Sequence, residues 1–313
     1  MAAPVPKVSI GLPVYNGERY LRSAVDSILQ QDYTDFELVI SDNASTDATE
    51  AICRDYAAKD TRVQYSRNPR NIGLAPNHNR VFNLSRGEFF KWVAHDDEYS
   101  RQMIKRYVEA FDAAPPSVSV IYSVCECIDD LGNPLGTKSD HVDKNDARPA
   151  RRLAHLLRHA CIYNCTYGMI RSAMLRETRL HGSYPRADMV LISELAMLGV
   201  FVEIAEPLLR LRLHEGRSLA QHKNAQALRE LFDPANKTKR SFVGVEGRVQ
   251  LELLRSAWLI PARFSDKLAC VCAALTVPNW RKFRNFGGLQ KRKLAHMLGK
   301  APGQQPDAGR LKF

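Results

Sequence analysis

The sequence Phe89-Phe-Lys-Trp-Val-Ala-His-Asp-Asp97 places a short apolar run directly before two adjacent carboxylates. Such a run predicts a buried strand, Phe89–Val93, whose carboxyl end opens into a polar loop. The two carboxylates, Asp96 and Asp97, repel each other unless a positive charge lies close by, and a divalent cation is one source of it. Adjacent aspartates are also common in turns and helix caps, so the pair alone predicts only a candidate site.

Apolar runs of the same kind recur through the first part of the chain, separated by segments with helical spacing. Five strands are predicted: Val8–Leu12, Phe36–Ile40, Val63–Tyr65, Phe89–Val93 and Val118–Val124. The helices between them are predicted after Asn16 as an N-cap, near Asp47 with Glu50 at capping-box spacing, over Leu74–Leu84, and around Ile104–Phe111. This alternation predicts an α/β fold with a doubly wound, mainly parallel sheet flanked by helices.

The polar clusters of three loops are expected to meet at one edge of this sheet. Each cluster follows a predicted strand: one comes after Leu12, one after Ile40 and one after Val93. In open α/β sheets, ligands bind beyond the carboxyl ends of the strands. The three loops therefore predict one common binding crevice.

The second part of the chain is less regular. Residues 129–152 are polar and rich in Asp, Gly and Pro, which predicts a long loop, and Phe201–Ile204 is a predicted strand. From Ser218 onward the pattern becomes helical and basic, and the tail after Pro302 is expected to be disordered. We therefore divide the chain into a main domain (1–215), a helical C-terminal extension (216–301) and a tail (302–313).

Composition narrows the classes of partner. The net charge of +11 and the pI near 9.4 favour phosphates, anionic lipid surfaces or nucleic acid. Nucleic-acid binding is not expected, because no aromatic-basic platform or recognisable module accompanies the charge. Residues 1–7 lack the apolar run of a signal peptide, no stretch is long enough to span a membrane, and the seven cysteines form no regular framework. These features predict a cytoplasmic protein.

Several motifs in register carry a resemblance to a known family. They are Val8-Ser-Ile-Gly-Leu-Pro-Val-Tyr-Asn16, Leu38-Val-Ile-Ser-Asp-Asn-Ala-Ser-Thr-Asp47, Asn71-Ile-Gly73 with Asn79, Gly87-Glu88, and Ala94-His-Asp-Asp97. In this order they resemble the family 2 glycosyltransferases, and the match extends roughly from Val8 to His214. The resemblance implies the GT-A fold, with a nucleotide-binding part over residues 1–125 and an acceptor and catalytic part over residues 126–215.

The resemblance implies a set of donor-binding residues. In the family, the first loop packs on the base and ribose of the nucleotide, which implies Pro13, Tyr15 and Asn16 here. The carboxylate after the second strand accepts a hydrogen bond from a pyrimidine ring N–H, which implies Asp42 and favours UDP or dTDP over GDP. The position of Asn79 lines the donor pocket.

The same resemblance implies a divalent metal ion, Mn²⁺ or Mg²⁺. The Asp-x-Asp metal motif of the family maps onto Ala94-His-Asp96, with Asp97 following. Because Ala94 replaces the first Asp, we expect Asp96 and Asp97 to bind the ion, with Asp97 as the preferred ligand. Arg212-x-His214 matches an Arg-x-His of the family. On a strand these two side chains share a face, so we expect both to reach the donor diphosphate and His214 to reach the metal ion.

The residues on the acceptor side match the family less fully. In similar proteins the catalytic base is an Asp that opens a helix after the acceptor loop, which implies Asp188. Glu194 is the alternative base and a further expected acceptor contact. The Glu usual before this Asp is Ala187 here, and a helix-capping role for Asp188 stays open. The family loop that lines the sugar and acceptor side resembles a segment containing Tyr167 and Gly168, which are therefore expected acceptor contacts.

These assignments predict an inverting glycosyltransferase of polysaccharide or glycolipid biosynthesis. It would move a sugar from a nucleotide-diphosphate donor to a hydroxyl of a saccharide or lipid-linked acceptor. The alternative is a nucleotide-sugar-binding protein with weak or no turnover, because Ala94 and Ala187 weaken two motifs. A nucleotidyltransferase agrees less well with Leu12–Asn16, which is neither glycine-rich nor basic.

The segment between Asn279 and Lys300 contains seven Lys or Arg and no acidic residue. Mixed with aromatic and aliphatic residues, this charge favours contact with an anionic membrane that carries a lipid acceptor. A solvated basic face packed on the main domain explains the pattern equally well. Both interpretations stay open, with peripheral contact at the inner face of the membrane as the one to test.

Overall fold

The computed structural model describes residues 5–143, 145–159, 164–214, 231, 232, 234 and 244–277. Its strands are β1 (Val8–Val14), β2 (Phe36–Asp42), β3 (Val63–Arg67), β4 (Phe89–Trp92), β5 (Glu98–Tyr99), β6 (Val118–Ile128), β7 (Pro134–Lys138), β8 (Met169–Arg171) and β9 (Val200–Arg212). Its helices are α1 (Leu21–Leu29), α2 (Thr49–Lys59), α3 (Leu74–Leu84), α4 (Met103–Ala113), α5 (Pro149–His159), α6 (Ser172–Arg176), α7 (Ala187–Leu198) and α8 (Val245–Leu259), with a 3-10 helix at Asn164–Tyr167. A further helical segment covers residues 264–277.

The first four strands form the parallel half of one sheet, in the order β3-β2-β1-β4. β1 lies between β2 and β4, so that Ile10 is opposite Leu38 on one side and Lys91 on the other. β1 and β2 extend past their predicted ends at Leu12 and Ile40, as far as Val14 and Asp42. Because the pairing is parallel, the carboxyl ends of β1, β2 and β4 lie at the same edge, as the sequence predicts.

The other half of the sheet is mixed. β8 joins β4 to β6 through antiparallel pairs, β7 forms a hairpin with β6, and β6 pairs with β9 in parallel. The short strand β5 pairs with the end of β9, with Glu98 opposite Arg210. Because β5 comes directly after the loop that follows β4, this pairing places the end of β9 beside that loop.

Two apolar cores lie on opposite faces of the sheet, because successive residues of a strand point to opposite sides. Leu38 and Ile40 of β2 join the core formed with α1 and α4, whereas Val39 joins the core formed with α3 and α7. Phe89 and Phe90 of β4 divide between the two cores in the same way. The predicted fold class, an α/β sheet flanked by helices, is confirmed.

The predicted loop over residues 129–152 is wrong, because it contains β7 and the start of α5. β7 is exposed at nearly every position, so its sequence lacks the apolar alternation that reveals a half-buried strand. The strand predicted at Phe201–Ile204 exists but is much longer, running over Val200–Arg212 as β9.

The predicted N-caps also need correction. Tyr20, and not Asn16, occupies the N-cap of α1, and Asn16 instead accepts a hydrogen bond from Thr46 in the next loop. Asp47 accepts a hydrogen bond from the backbone N–H of Thr49 (3.0 Å), but Glu50 does not close a capping box and forms an ion pair with Arg54. Asn16 thus serves a contact between two loops, whereas Glu50 pairs within α2.

The described helices of the C-terminal extension pack on the main domain. α8 and residues 264–277 share a third apolar core with α5 and α7, in which Leu253 and Cys270 lie with Leu157 and Val190. Among the described residues, no helix is both long and apolar enough to cross a bilayer. The basic segment between Asn279 and Lys300 and the tail lie outside the described residues.

Candidate active site

The loops after β1 and β2 are tied together around Asn16. Its backbone N–H donates to the Ser45 Oγ (2.9 Å), and its side-chain Oδ1 accepts from the backbone N–H of Thr46 (2.8 Å). Asn16 has a left-handed backbone conformation (φ 50°), which asparagine tolerates better than most residues. Tyr15 is 43% exposed, whereas Pro13 is buried within β1. Of the three residues predicted to pack on a nucleotide, Tyr15 is therefore the accessible one, and Asn16 shapes the loop.

Asp42 ends β2 as a fully buried carboxylate with three hydrogen-bond donors around it. Its Oδ1 accepts from the backbone N–H of Ser45 (2.8 Å), and its Oδ2 accepts from the Tyr65 hydroxyl (3.0 Å) and from the Arg67 Nη1 (2.8 Å). Tyr65 and Arg67 come from β3, where Arg67 is directly opposite Asp42. The partly exposed Arg67 guanidinium thus compensates the charge of Asp42 at the edge of the sheet.

Asp96, in the loop after β4, pairs with His214, which follows the end of β9. The His214 Nε2 lies 2.9 Å from the Asp96 Oδ2, and the Tyr20 ring packs 4.9 Å from the His214 ring. Gly17 in the first loop lies so close that a Cβ there would be 2.7 Å from the His95 ring. The loops after β1, β2 and β4 and the segment after β9 therefore meet at one edge of the sheet, where the sequence predicts the binding crevice.

Arg212 and Asp97 form a buried network behind the Asp96–His214 pair. The Asp97 Oδ1 accepts the backbone N–H of Arg212 (2.9 Å), and Asp97 is only 2% exposed. The Arg212 guanidinium donates to the Glu98 carboxylate and to the Asp96 carbonyl oxygen (3.1 Å). Since β9 ends at Arg212, the predicted strand face shared with His214 is wrong. Both residues still reach the loop after β4, where the buried Arg212 guanidinium is occupied by protein acceptors.

These contacts bear on the predicted metal-ligand set. The Asp97 Oδ1 accepts the backbone N–H of the buried Arg212, whereas Asp96 is the more exposed of the two carboxylates. The assignment of Asp97 as the preferred ligand stays a prediction. Asp96 and His214 remain as an adjacent carboxylate and imidazole, and the buried His214 Nδ1 has no hydrogen-bond partner among the described residues. Within the described part of the chain, no three or more His, Cys, Asp or Glu are grouped to hold a metal. Two protein donors suit Mg²⁺ or Mn²⁺ when substrate phosphates and water complete the shell.

Asp188 lies in the first turn of α7. Arg186, the residue before this helix, has a left-handed backbone conformation (φ 67°), which is uncommon for a non-glycine residue. Burial raises the pKa of the Asp188 carboxyl above its ordinary value, against the backbone hydrogen bond from Met189 and the charge of Arg186. A raised pKa makes a carboxylate a stronger proton acceptor, while the bond from Met189 also serves the start of the helix. The position is compatible with the base and with the capping interpretation.

Glu194 is held in a buried network between α7 and α8. Its oxygens accept the backbone N–H of Arg179 (2.8 Å), the Arg179 Nε (2.8 Å) and the Ser256 hydroxyl (2.6 Å). Arg179 also binds Glu252 of α8 at 2.6 Å. Glu194 is only 6% exposed and three donors occupy its carboxylate, so its side chain joins the two helices. This geometry does not support its alternative role as base or acceptor contact.

Three other predicted ligands make structural contacts. Asn79 on α3 hydrogen-bonds the backbone N–H and the carbonyl of His181 (3.0 and 2.9 Å), so its amide anchors the segment before α7. The Tyr167 carbonyl accepts a hydrogen bond from the ammonium group of Lys91. Gly168 is buried, and a Cβ there would lie 2.7 Å from a carbonyl oxygen of β6. These contacts alone explain why an amide and a glycine stand at positions 79 and 168.

Lys91 is a residue near the site that the sequence analysis does not single out. It lies in β4 and is fully buried, with its ammonium 5.7 and 5.3 Å from the ring centres of Tyr99 and Tyr107. Burial lowers the pKa of Lys91 to about 7, and the charge of Asp97 acts in the opposite direction. The signal in the sequence is a lysine inside an apolar run, since alternation gives it the same face as the core residue Phe89.

Solved structures with a similar fold include TarS and a mannosyltransferase. The chain matches TarS of Staphylococcus aureus with a TM-score of 0.59 and 16% identity over 87% of this chain and 43% of TarS. The mannosyltransferase PcManGT of Pyrobaculum calidifontis, solved with GDP-Man and Mn²⁺, matches with a TM-score of 0.53 and 17% identity over 95% of this chain and 85% of that one. At these identities the likeness concerns the fold, which is of the GT-A type.

The sequence itself places the chain in a family. The model of the family described as "Glycosyl transferase family 2" matches residues 9–178, more than half of the chain. This protein therefore belongs to glycosyl transferase family 2, as its motifs predict.

Curated relatives cover only part of the molecule. An uncharacterized glycosyltransferase of Rickettsia typhi is 31% identical over 165 residues, which are 51% of this chain and 49% of the relative. The glycosyltransferase GlyA of Streptococcus pneumoniae is 36% identical over 107 residues, which are 33% of this chain and 15% of GlyA. The chain thus matches about half the length, or less, of these relatives.

Proposed function

We propose that this protein is an inverting glycosyltransferase that moves a sugar from a nucleotide-diphosphate donor, UDP- or dTDP-linked, to a hydroxyl of a saccharide or lipid-linked acceptor. The observation that carries the proposal is the crevice in which the loops after three parallel strands meet the Asp96–His214 pair, with its 2.9 Å contact. Such an edge is where α/β sheets bind nucleotides. The family and the names of its relatives support the reaction class.

The nucleotide base is proposed to bind beside Tyr15 and Asp42. An exposed aromatic ring offers a stacking surface, and a carboxylate accepts the ring N–H of a pyrimidine. Asp42 is enclosed by its three donors, of which the Arg67 guanidinium is the one on a partly exposed side chain. A pyrimidine would therefore reach Asp42 as Arg67 turns aside, and the displaced guanidinium would be free to donate to a base carbonyl.

The divalent ion, Mn²⁺ or Mg²⁺, would be held by Asp96 and His214 together with the donor diphosphate. When bound, it supplies positive charge that stabilises the leaving nucleotide diphosphate. The residues around the pair fix its two protein donors, because the Tyr20 ring packs on His214 and Arg212 holds the Asp96 backbone. The Mn²⁺ and GDP-Man in the structure of the mannosyltransferase PcManGT are consistent with this assignment.

Asp188 is proposed as the base of the transfer. The acceptor oxygen attacks the anomeric carbon from the side opposite the diphosphate, and the bond between that carbon and the diphosphate oxygen breaks. The diphosphate leaves with the bonding electrons, while the hydroxyl proton passes to the Asp188 carboxylate. One displacement inverts the anomeric configuration. The raised pKa of Asp188 supports this role, because proton transfer is most effective when the pKa of the base approaches the working pH.

Peripheral contact with an anionic membrane is proposed for the C-terminal extension. α8 and residues 264–277 carry large apolar side chains that are each at least 44% exposed: Leu251, Trp258, Leu259, Phe264, Leu268 and Leu275. The Trp258 and Phe264 ring centres are 6.0 Å apart, so the apolar surface continues from one helix to the next. Arg263 and Lys267 are the sequence neighbours of Phe264 and Leu268, and their charges suit anionic headgroups. Failure to sediment with anionic vesicles at low salt would contradict this contact.

The donor assignment is tested by a thermal-shift panel of nucleoside diphosphates and nucleotide sugars, with and without Mn²⁺. UDP or dTDP compounds with Mn²⁺ are expected to raise the Tm, because a ligand at 100 times its Kd stabilises the native state by about 2.7 kcal/mol. GDP and ADP compounds at the same concentrations are the controls. The absence of any shift contradicts the proposed function, and a shift that EDTA leaves unchanged contradicts the metal assignment.

A nucleotide-sugar-binding protein with weak or no turnover is the second candidate. The hydrogen bond from Arg212 to one oxygen of Asp97 favours it, because it leaves fewer carboxylate oxygens to bind the ion. The replacement residues Ala94 and Ala187 point the same way. Continuous release of UDP from a bound donor distinguishes the transferase from a binding protein.

A further inference from the structure

An arginine-rich cleft lies between α8 and the segment that leads into α7. Its volume is about 390 Å³. Its walls come from Arg248, Glu252 and Arg255 of α8 and from Arg179, Leu180, Gly182, Ser183 and Tyr184. It shares no residue with the crevice around Asp96 and His214. The cleft is therefore a separate candidate site.

The walls of the cleft carry an excess of positive charge. Arg248, Glu252 and Arg255 are spaced at i, i+4 and i+7, so they share one face of α8. The buried Glu252 is compensated twice, by Arg248 at 2.8 Å and by Arg179 at 2.6 Å. Arg255 is exposed, and none of the described residues forms an ion pair with it. Arg179 also pairs with Glu194, so Arg255 is the one arginine of the cleft without a carboxylate partner among the described residues.

The remaining polar groups of the cleft are hydroxyls. Ser183 and Tyr184 line it, and the Arg248 guanidinium lies 5.5 Å from the centre of the Tyr184 ring. Burial raises the pKa of Tyr184 to about 12, so its hydroxyl stays protonated and available as a donor. Guanidinium groups together with hydroxyl donors recognise the oxygens of phosphate groups.

The cleft lies close to the proposed catalytic base along the chain. Tyr184 precedes Asp188 by four residues, so even a fully extended backbone separates their Cα atoms by at most about 14 Å. A group bound in the cleft is thus near the place where Asp188 would take a proton from the acceptor. The donor nucleotide is proposed to bind in the other site, around Asp42 and Asp96.

We propose that this cleft binds a phosphate group of the acceptor, in the form of a phosphate monoester or diester. The inference rests on the proposed transferase function and adds the chemical class of its acceptor, a phosphorylated saccharide, polyol or lipid. Arg248 and Arg255 bind the phosphate oxygens, and Arg179 holds the cleft wall through Glu194 and Glu252.

The test uses the full chain with its donor site filled by saturating UDP and Mn²⁺. UDP binding, measured first by calorimetry, reports on the proposed function by itself. Glycerol 3-phosphate is then titrated as a soluble phosphate ester, and phosphatidic acid vesicles are used as the lipid-borne form. The Arg248→Gln/Arg255→Gln variant is compared with the control Arg101→Gln/Lys105→Gln, which removes two exposed cations near the start of α4.

Phosphate binding that weakens at least about tenfold in the cleft variant and persists in the control supports the proposal, since charge-assisted hydrogen bonds from two arginines are lost. A loss confined to glycerol 3-phosphate identifies a soluble phosphate ester, and a loss confined to vesicles identifies a lipid phosphate. If the cleft variant binds both probes as tightly as the wild type, or if the wild type binds neither, the inference is overturned. UDP binding in the same samples shows whether the proposed function survives.

Discussion

Replacing Glu194 with glutamine is expected to loosen the attachment of α8 to α7 without removing the chemistry of transfer. Glu194 accepts two hydrogen bonds from Arg179 at 2.8 Å and one from Ser256 at 2.6 Å, and its side chain is 8% exposed. The substitution keeps the shape of the side chain but removes its charge. Arg179 then retains only Glu252 as a charged partner in this network.

The expected loss of stability follows from the burial of this pair. Removing one partner of a buried ion pair costs about 3–5 kcal/mol. The Arg179 side chain is 29% exposed and keeps Glu252, so solvent and the second partner reduce the cost to about 2 kcal/mol. At roughly 2 °C per kcal/mol for a chain of this size, the Tm falls by about 4 °C.

Thermal unfolding followed by circular dichroism measures this loss, and UDP release from the donor measures kcat on the same samples. The control is Asp55→Asn, which removes an exposed i,i+4 partner of Lys59 and should leave the Tm unchanged. We expect Glu194→Gln to lower the Tm while kcat stays close to that of the wild type. A fall in kcat of about a hundredfold with an unchanged Tm would show that Glu194 is the base and would refute this reasoning.

Three further predictions concern the crevice and the strand before it. The acid limb of the pH–rate profile should lie at higher pH than an ordinary aspartate gives, because the pKa of Asp188 is raised and the base must be ionised. Initial rates of UDP release measured across a range of pH test this prediction. An acid limb at the position of an ordinary aspartate would contradict it. Asp96→Asn and His214→Ala should each weaken Mn²⁺-dependent UDP binding by at least about tenfold, as calorimetry would show; equal affinities with and without these changes would contradict the assigned donors. Above pH 7, the free energy of unfolding of the wild type should increase relative to that of Lys91→Met by about 1 kcal/mol per pH unit. The sign follows because the pKa of Lys91 is about 7 in the fold and higher when unfolded, so the unfolded chain binds more protons there; urea unfolding at pH 7 and pH 8 measures it, and a constant difference would contradict it.

The parallel half of the fold is predictable from sequence because each of its strands has a local signal. β1, β2 and β4 are buried at every position, as strands covered by helices on both faces must be, and each contains a run of apolar residues. β5 and β8 have only two and three residues, too few for any periodicity to appear. β9 contains Pro207 and irregular pairing with β6, so its alternation is broken and only its first part is predicted.

Prediction of the candidate site from sequence is limited in the same way, because contacts between distant residues have no local signal. The sequence identifies Asp96, Asp97 and His214, but nothing local indicates that the Arg212 backbone, 115 residues away, donates a hydrogen bond to one oxygen of Asp97. The network that joins Glu194 to Ser256 likewise spans 62 residues. Which of two neighbouring carboxylates faces a ligand depends on such distant partners.

The central claim is that Asp188 takes a proton from the acceptor in a reaction that releases the nucleotide diphosphate. The most direct measurement compares UDP release by the wild type and Asp188→Asn, together with UDP affinity in the presence of Mn²⁺. The account predicts an unchanged affinity and a rate that is lower by at least about a hundredfold, since general base catalysis contributes about 10²–10⁴-fold. A variant that binds UDP and releases it from the donor at the wild-type rate would contradict the account.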